Sequence, residues 1–169
     1  MAFFALDSNA QAENYKSVEW DILRFGRVVP SGNGVTGGFA FGSEIRYNVK
    51  DNLSAGVRWE AALFGSGDET VSLGAFSSCA LIGDYYFSTT GNSRAFGGAG
   101  LGYFGGGSVE INGQSVEGSG GNVGAVIRAG YELGLLRLSA EYNLIFADGA
   151  SKYLGINVGI TLFGGYKGS

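Results

Sequence analysis

The sequence predicts an all-β protein, an eight-stranded antiparallel up-and-down transmembrane β-barrel. The first observation behind this prediction is an alternation of apolar and polar residues over about a dozen positions, which recurs eight times along the chain. From Leu53 to Phe64, one face is apolar and the other carries Arg58 and Glu60. Strands of about 9–11 residues with one apolar face are typical of barrels that cross a membrane, whereas strands of soluble sheets usually have about 5–6 residues.

The second observation is the composition of the gaps between these segments. Gly, Asn, Asp and Ser dominate them, as expected of turns. Neighbouring strands joined by turns form a meander, and an even number of strands lets the sheet close without an exposed edge. The predicted strands span residues 17–28, 36–48, 53–64, 71–87, 95–104, 122–133, 136–146 and 152–163.

The overall composition excludes several other protein classes. The 169 residues include 32 Gly but one Pro, and 14% are aromatic, so neither a collagen-like nor a disordered chain is expected. The net charge of -4 provides no basic stripe for phosphates, so nucleic acid is not expected as a partner. The sequence contains no run of 18 apolar residues, so no transmembrane helix is predicted. Cys79 is the single cysteine, which excludes an internal disulfide.

The residues offer little for catalysis or metal binding. The chain contains no His, the commonest general base and metal ligand. Glu19 and Asp21 alone do not make a metal site, which would ordinarily recruit His, Cys or more carboxylates. The glycine-rich run 97–102 lacks the strand–turn–helix context of a nucleotide-binding loop. We therefore predict no catalytic residue, no cofactor and no metal, and the protein is not expected to be an enzyme.

Charged residues in the middle of the predicted strands are arginines and carboxylates, whereas the four lysines lie at strand ends, turns or tails. Arginine suits buried bidentate pairing, and an isolated buried charge is costly. The interior of an eight-stranded barrel is just wide enough for side chains to fill. We therefore predict ion-paired ladders within the two hairpins formed by the second and third and by the sixth and seventh strands. The predicted interior charge network comprises Glu19, Asp21, Glu44, Arg46, Arg58, Glu60, Asp84, Arg128, Glu132, Arg137 and Glu141.

Two interpretations of this interior remain open from the sequence. The charges form a paired plug, or they line a narrow polar pore or proton path. Inward glycines such as Gly98 and Gly130 either leave room for water or let bulky charged partners approach the wall. Arg24 fits the pattern worst, because it shares the predicted lipid face with Trp20. Either it lies close to the rim, or a bulge near Phe25–Gly26 turns it inward.

Aromatic residues cluster at the two ends of the predicted strands, as expected of interfacial girdles. One band comprises Tyr47, Tyr85, Phe87, Tyr131 and Phe163, and the opposite band comprises Phe39, Phe41, Tyr103 and Phe146. With both termini on the periplasmic side, the longest connection, Gly105–Gly121, lies outside. That connection is the candidate segment for an extracellular partner.

The N-terminus has features of an export signal. An apolar remnant at 3–6 precedes Ala10-Gln11-Ala12, which matches an A-x-A cleavage site. We therefore predict that residues 1–12 are a residual signal-peptide tail and that residues 13–169 form a single outer-membrane barrel domain.

Four segments carry a resemblance to a known group of proteins: 18–23 (VEWDIL), 44–48 (EIRYN), 83–87 (GDYYF) and 153–159 (YLGINVG). Over about residues 17–163, the chain resembles small outer-membrane β-barrel proteins of Bacteroidetes-type bacteria, with the architecture of OmpA/OmpX/OmpW-type eight-stranded barrels. The resemblance implies a location in the outer membrane of a Gram-negative bacterium. Such barrels often end on an aromatic residue, whereas Gly164–Ser169 follow Phe163 here.

The leading functional hypothesis is a small non-enzymatic barrel with a structural or surface role, monomeric and in contact with outer-membrane lipid. One alternative is a narrow channel for small solutes, or for apolar molecules as in OmpW-like proteins. Another is a soluble lipocalin-like binding barrel with the faces reversed, which would place Trp59 and Leu63 inside and Arg58 and Glu60 outside.

Overall fold

A computed structural model of the chain describes residues 12–31, 35–66, 73–89, 91–107, 109–111, 114–116, 120–146 and 152–167. The strands are β1 (Val18–Pro30), β2 (Val35–Lys50), β3 (Leu53–Ser66), β4 (Leu73–Tyr86), β5 (Ser93–Gly107), β6 (Val109–Ile111), β7 (Gln114–Val116), β8 (Asn122–Leu133), β9 (Leu136–Ile145) and β10 (Lys152–Phe163). All except β6 and β7 form one closed antiparallel barrel, in the order β1-β10-β9-β8-β5-β4-β3-β2. The predicted fold class is therefore confirmed.

The outer face of the barrel is apolar and the inner face is polar. Leu81, Leu101 and Ile127 are more than half exposed on the outside. Trp59 is also exposed, whereas its neighbour Arg58 is fully buried. The lipocalin-like alternative, which required the opposite arrangement, is therefore wrong. In the described parts of the chain, no helix is long and apolar enough to span a membrane.

The strands are staggered around the barrel. A path from each residue to its paired residue on the next strand leads once around the barrel. It begins at Asn122 in β8 and returns to β8 at Glu132, ten residues further along the strand. The path runs through Phe104, Ser78, Glu60, Gly42, Arg24, Gly159 and Arg137. Such a stagger requires tilted strands, and the interior of an eight-stranded barrel is then filled by side chains.

A β-bulge in β1 decides where Arg24 points. Ile22 and Leu23 are both exposed, and the register against β2 shifts between Asp21 and Arg24. The additional outward residue reverses the parity of the strand, so that Arg24 lies inside and is 3% exposed. The lipid-facing placement of Arg24 was wrong. A bulge does turn it inward, but at Ile22–Leu23 rather than at Phe25–Gly26.

The two ends of the barrel differ in their connections. At one end, which we name the turn end, two-residue turns join β2 to β3 and β8 to β9, and β4 connects to β5. At the other, the loop end, the connection from β5 to β8 is the longest and contains the β6–β7 hairpin. The predicted connection Gly105–Gly121 is thus partly structured, because β5 continues to Gly107. Residues 108, 112–113 and 117–119 of this connection lie outside the described residues.

The nine predicted interfacial aromatics all lie on the outer face, with exposures from 41% to 74%. Tyr47 pairs with Val18 near the turn end, whereas Phe39 pairs with Arg27 towards the loop end. Their role as membrane anchors remains a prediction. The signal-peptide tail at residues 1–12 also remains a prediction, because only its last residue, Ala12, is described.

Candidate functional site in the barrel interior

The interior of the barrel is the most distinctive polar region of the molecule. All eleven residues of the predicted charge network are buried, with exposures between 0% and 8%. The structure adds two arginines that the sequence interpretation left out, Arg24 and Arg94. Arg24 was concealed by the bulge. Arg94 precedes the predicted start of the fifth strand by one residue, whereas β5 begins at Ser93.

Arg128 joins three strands in the middle of this network. Its guanidinium donates to both carboxylate oxygens of Glu44 on β2, at 2.7 and 2.6 Å. It also donates to both oxygens of Asp84 on β4, at 2.8 and 2.6 Å. Such planar bidentate pairing is the geometry that favours arginine over lysine. Arg128 on β8 therefore joins a carboxylate on β4 to one on β2, which lies across the lumen.

Glu141 is a second centre of the network. Arg58 Nη1 donates to its carboxylate at 2.5 Å, and Arg24 Nη2 donates to its other oxygen. Arg128 Nη1 lies 3.6 Å from the same carboxylate. The Ser139 hydroxyl donates a further hydrogen bond of 2.9 Å. A fully buried carboxylate is thus surrounded by three arginines and a hydroxyl.

A third set of ion pairs lies closer to the turn end. Arg94 joins Glu19 at 2.8 Å and Glu132 at 2.5 Å. Arg46 also contacts Glu19, at 3.0 Å, and pairs with Asp21. Arg137 continues the network, because it contacts Glu132 and lies 2.6 Å from Asp84.

The ion pairs cross the lumen more often than the predicted ladders implied. Glu44 and Arg58 face each other on β2 and β3. Glu44 nevertheless pairs with Arg128 and Arg24, and Arg58 pairs with Glu141 on β9. Of the first predicted ladder only the pair between Arg46 and Glu44 forms, at 3.5 Å. In the second, Arg128 lies 3.6 Å from Glu141 and Arg137 pairs with Glu132, as predicted. In so narrow an interior, long side chains reach the opposite wall, so sequence adjacency of strands does not fix the pairing.

Inward glycines make room for these large side chains. A Cβ on Gly98 would overlap the carboxylate of Asp84, the partner of Arg128. A Cβ on Gly130 would overlap the ring of Phe96. These two positions support the interpretation that glycines let bulky partners approach the wall.

Towards the loop end the inward residues become apolar. The layer consists of Val28, Ala40, Ala62, Phe104, Val126, Ile145 and Tyr153. Glu60 lies at its boundary and accepts a hydrogen bond of 2.8 Å from the Tyr153 hydroxyl. Within the described residues Glu60 has no ion pair, so the six interior arginines pair with six other carboxylates.

A segment preceding β1 closes the turn end. Tyr15 is 3% exposed, and its ring lies 3.9 Å from Cζ of Arg94. Its hydroxyl donates to the Gly91 carbonyl at 2.7 Å, and burial raises the pKa of this hydroxyl. Asp51 accepts hydrogen bonds from the backbone and side-chain nitrogens of Asn14, at 2.9 and 2.8 Å.

The residues after β10 complete this closure, which we name the turn-end cap (residues 12–17 and 164–167). Tyr15 forms a β-bridge with Tyr166. Lys167 Nζ donates to the carbonyl of Ala12 at 2.8 Å. The two ends of the described chain therefore pack across the same mouth of the barrel.

The arrangement is suited to fixed electrostatic packing. Its carboxylates other than Glu60 are paired with arginines, which a metal ion would have to displace. Among the residues with described positions, no group of three or more His, Cys, Asp or Glu is placed to bind a metal.

No protein-family model matches the chain, and no curated protein matches it in sequence. Several solved structures match the fold. Neisserial surface protein A is 18% identical, with a TM-score of 0.66 over 88% of this chain and 99% of its own. Ail of Yersinia pestis, solved with the heparin analogue sucrose octasulfate, is 18% identical, with a TM-score of 0.54 over 91% and 98%. The outer membrane protein OprG of Pseudomonas aeruginosa is 12% identical, with a TM-score of 0.55 over 94% and 97%. The chain therefore has the fold of the small eight-stranded outer-membrane β-barrels.

Proposed function

We propose that the protein is a small non-enzymatic outer-membrane barrel with a closed, charge-paired interior and a structural or surface role. The observation that carries this proposal is that the interior arginines and carboxylates between the turn-end cap and the apolar layer are buried and, apart from Glu60, joined in ion pairs. The apolar outer face supports contact with membrane lipid. The three matched proteins come from Neisseria, Yersinia and Pseudomonas, so the Bacteroidetes-type source remains a prediction from the sequence.

The energetics of the interior favour a fixed plug over an open path. Moving one partner out of a buried ion pair leaves an uncompensated charge, which costs about 3–5 kcal/mol. Arg128 and Glu141 each contact more than one partner, so opening a path past them breaks several interactions together.

Conductance across a planar bilayer tests this proposal. We expect the inserted wild-type barrel to give no stable unit currents. Glu60→Gln, which leaves every described ion pair intact, serves as a matched control and should behave identically. Stable unit currents that change size on substituting Arg58 or Arg128 would show that the interior conducts.

One observation favours the channel as a second candidate. The side-chain nitrogens of Asn143 and Asn157 are buried and have no hydrogen-bond partner among the described residues. Buried donors of this kind are ordinarily satisfied by water. A water-containing pocket supports a narrow polar path only if it connects both ends, which the conductance measurement decides.

We also propose that the surface role belongs to the connection between β5 and β8, because it is the longest and forms its own hairpin. In barrels of this type the longer loops lie outside the cell and the short turns face the periplasm. Single cysteines at Ser115 and at Asn92, in a Cys79→Ser background, test this orientation with a membrane-impermeant maleimide on intact cells. We expect labelling at position 115 and not at 92, and the reverse pattern would contradict the proposal.

A further inference from the structure

The bulge in β1 that turns Arg24 inward has a second effect, because it leaves Arg27 on the outer wall. Arg27 is exposed between Phe25 and Val29, which are both 48% exposed. Its neighbours across the sheet are Phe39 on β2 and Ile156 on β10, which are 74% and 60% exposed. A guanidinium therefore lies in the surface that otherwise presents hydrocarbon.

This placement is unusual within the barrel. In the eight barrel strands the other outward charged residues with described side chains are Lys50 and Lys152, and both stand at a strand terminus. The cost of a lipid-facing arginine is about 2–4 kcal/mol at the bilayer midplane and about 0–1 kcal/mol near the interface. The position of Arg27, three residues before the loop-end terminus of β1, favours the interfacial case.

The side chain of Arg27 extends towards the loop end. A Cβ placed on Gly37 would lie 3.5 Å from Arg27 Nε and 3.8 Å from Nη2. Arg27 itself pairs with Phe39, and Gly37 lies two residues nearer the loop end on β2. The guanidinium therefore lies over a glycine and is directed towards the loop end, as expected of an arginine that extends its charge to a membrane interface.

A second cation stands at the same rim. Lys152 begins β10, the strand adjacent to β1, and is exposed on the outer face together with Ile156. The backbone nitrogen of Ser31 donates to the Lys152 carbonyl at 2.7 Å, which fixes this strand end against β1. Within the described residues neither Arg27 nor Lys152 has a carboxylate partner, and the outer face of the strands carries no acidic residue.

We propose that Arg27, assisted by Lys152, binds the phosphate of a lipid headgroup in the leaflet at the loop end. Phosphate supplies the negative charge that the outer face of the barrel lacks. The planar guanidinium group can donate hydrogen bonds to two phosphate oxygens at once. This inference rests on the proposed placement of the barrel in a membrane.

Native mass spectrometry of the barrel released from detergent micelles provides the test. The probes are a diacyl phosphatidic acid and a diacylglycerol of the same chain length. The variants are Arg27→Gln and, as a matched control at the opposite rim, Lys50→Gln. We expect wild type and Lys50→Gln to retain phosphatidic acid in preference to diacylglycerol, and Arg27→Gln to bind it about 10-fold more weakly. Inorganic phosphate at the same concentration should not compete, because the lipid chains contribute to binding.

Equal retention of phosphatidic acid by Arg27→Gln and wild type would overturn the inference, as would equal retention of the two lipids by wild type. Competition by inorganic phosphate would show a free-anion site instead of a lipid site. The micelle measurement does not depend on which way the barrel is inserted, so it is independent of the cysteine-labelling test of orientation.

A second measurement uses stability. Arg27→Leu should unfold at higher urea concentration than wild type in vesicles of a phosphate-free galactolipid, because a charge is removed from the lipid face and no phosphate is present to bind Arg27. The gain should shrink when phosphatidic acid is added to the vesicles. An identical gain in both vesicles would contradict phosphate binding at Arg27.

Discussion

At the scale of single residues, two buried glutamates of the same size have different environments. Glu141 receives three guanidinium groups, whereas Glu60 receives the hydroxyl of Tyr153 and no ion pair from the described residues. Charge removal should therefore have unequal consequences at the two positions. Neutralising Glu141 leaves arginines uncompensated in a buried site, but a glutamine at position 60 still accepts the same hydrogen bond.

We expect Glu141→Gln to lower the free energy of unfolding by about 3–5 kcal/mol and Glu60→Gln to lower it by less than about 1 kcal/mol. Urea unfolding in micelles, followed by the fluorescence of Trp20 and Trp59, measures both. Each variant is the control of the other, because both substitutions preserve side-chain size. Equal losses would show that the ion pairs around Glu141 contribute no particular stability.

At the scale of secondary-structure elements, the bulge in β1 acts as one additional outward residue. Deleting Leu23 should convert β1 into a regular strand, because Asp21 and Arg24 would then be separated by Ile22 alone and would both remain inside. Deleting Phe25 instead exchanges the faces of the rest of the strand. Arg27 then points inward and Val28 meets lipid.

The Leu23 deletion should consequently yield a folded barrel, whereas the Phe25 deletion should not. The folded barrel and the boiled, unfolded chain migrate differently on SDS gels. The share of an unheated sample that runs at the folded position therefore measures the folded fraction. A folded Phe25 deletion with unchanged stability would mean that the bulge relocates freely and does not fix the faces of β1.

The turn-end cap is a second element whose strength can be measured. Tyr15 anchors it through the Gly91 carbonyl and the face of Arg94, and Lys16 is the adjacent residue. We expect Tyr15→Ala to accelerate tryptic cleavage after Lys16 and Tyr15→Phe to do so less, because phenylalanine keeps the ring contact and loses only the hydroxyl bond. Unchanged cleavage in both variants would indicate that Asp51 and Lys167 hold the cap without Tyr15.

The strands, the bulge and the ion pairs differ in how well the sequence predicts them. Apolar–polar alternation predicts all eight barrel strands to within a few residues, because lipid outside and charge inside impose a strong period of two. Alternation indicates the bulge only through the misplaced Arg24 and does not locate it, since two consecutive apolar residues such as Ile22 and Leu23 both suit the lipid face. The ion-pair partners could be predicted within the hairpin of β8 and β9, where Arg137 pairs with Glu132, but not across the lumen. The pairing across the lumen depends on which side chains meet there, and that is set by the stagger of the closed barrel.

At the scale of the whole molecule, the barrel is polar inside and apolar outside. Exposed residues such as Leu81, Leu101 and Phe146, each above 60% exposed, form a surface that water does not solvate well. We expect the folded chain to remain dispersed only with detergent or lipid, as one chain per micelle by light scattering. A monodisperse folded protein in detergent-free buffer at high concentration would contradict membrane insertion.

The turn-end cap also brings the two ends of the described chain together, through the bridge between Tyr15 and Tyr166 and the contact from Lys167 to Ala12. In space residues 12–167 are therefore nearly a ring, in which the gap between residues 12 and 167 takes the place of an eighth connection between neighbouring barrel strands. Joining residues 12 and 167 by a short linker and opening the chain between β6 and β7 would give a circular permutant with the same neighbours for every barrel strand. The order of synthesis of the strands could thus be varied independently of the final architecture.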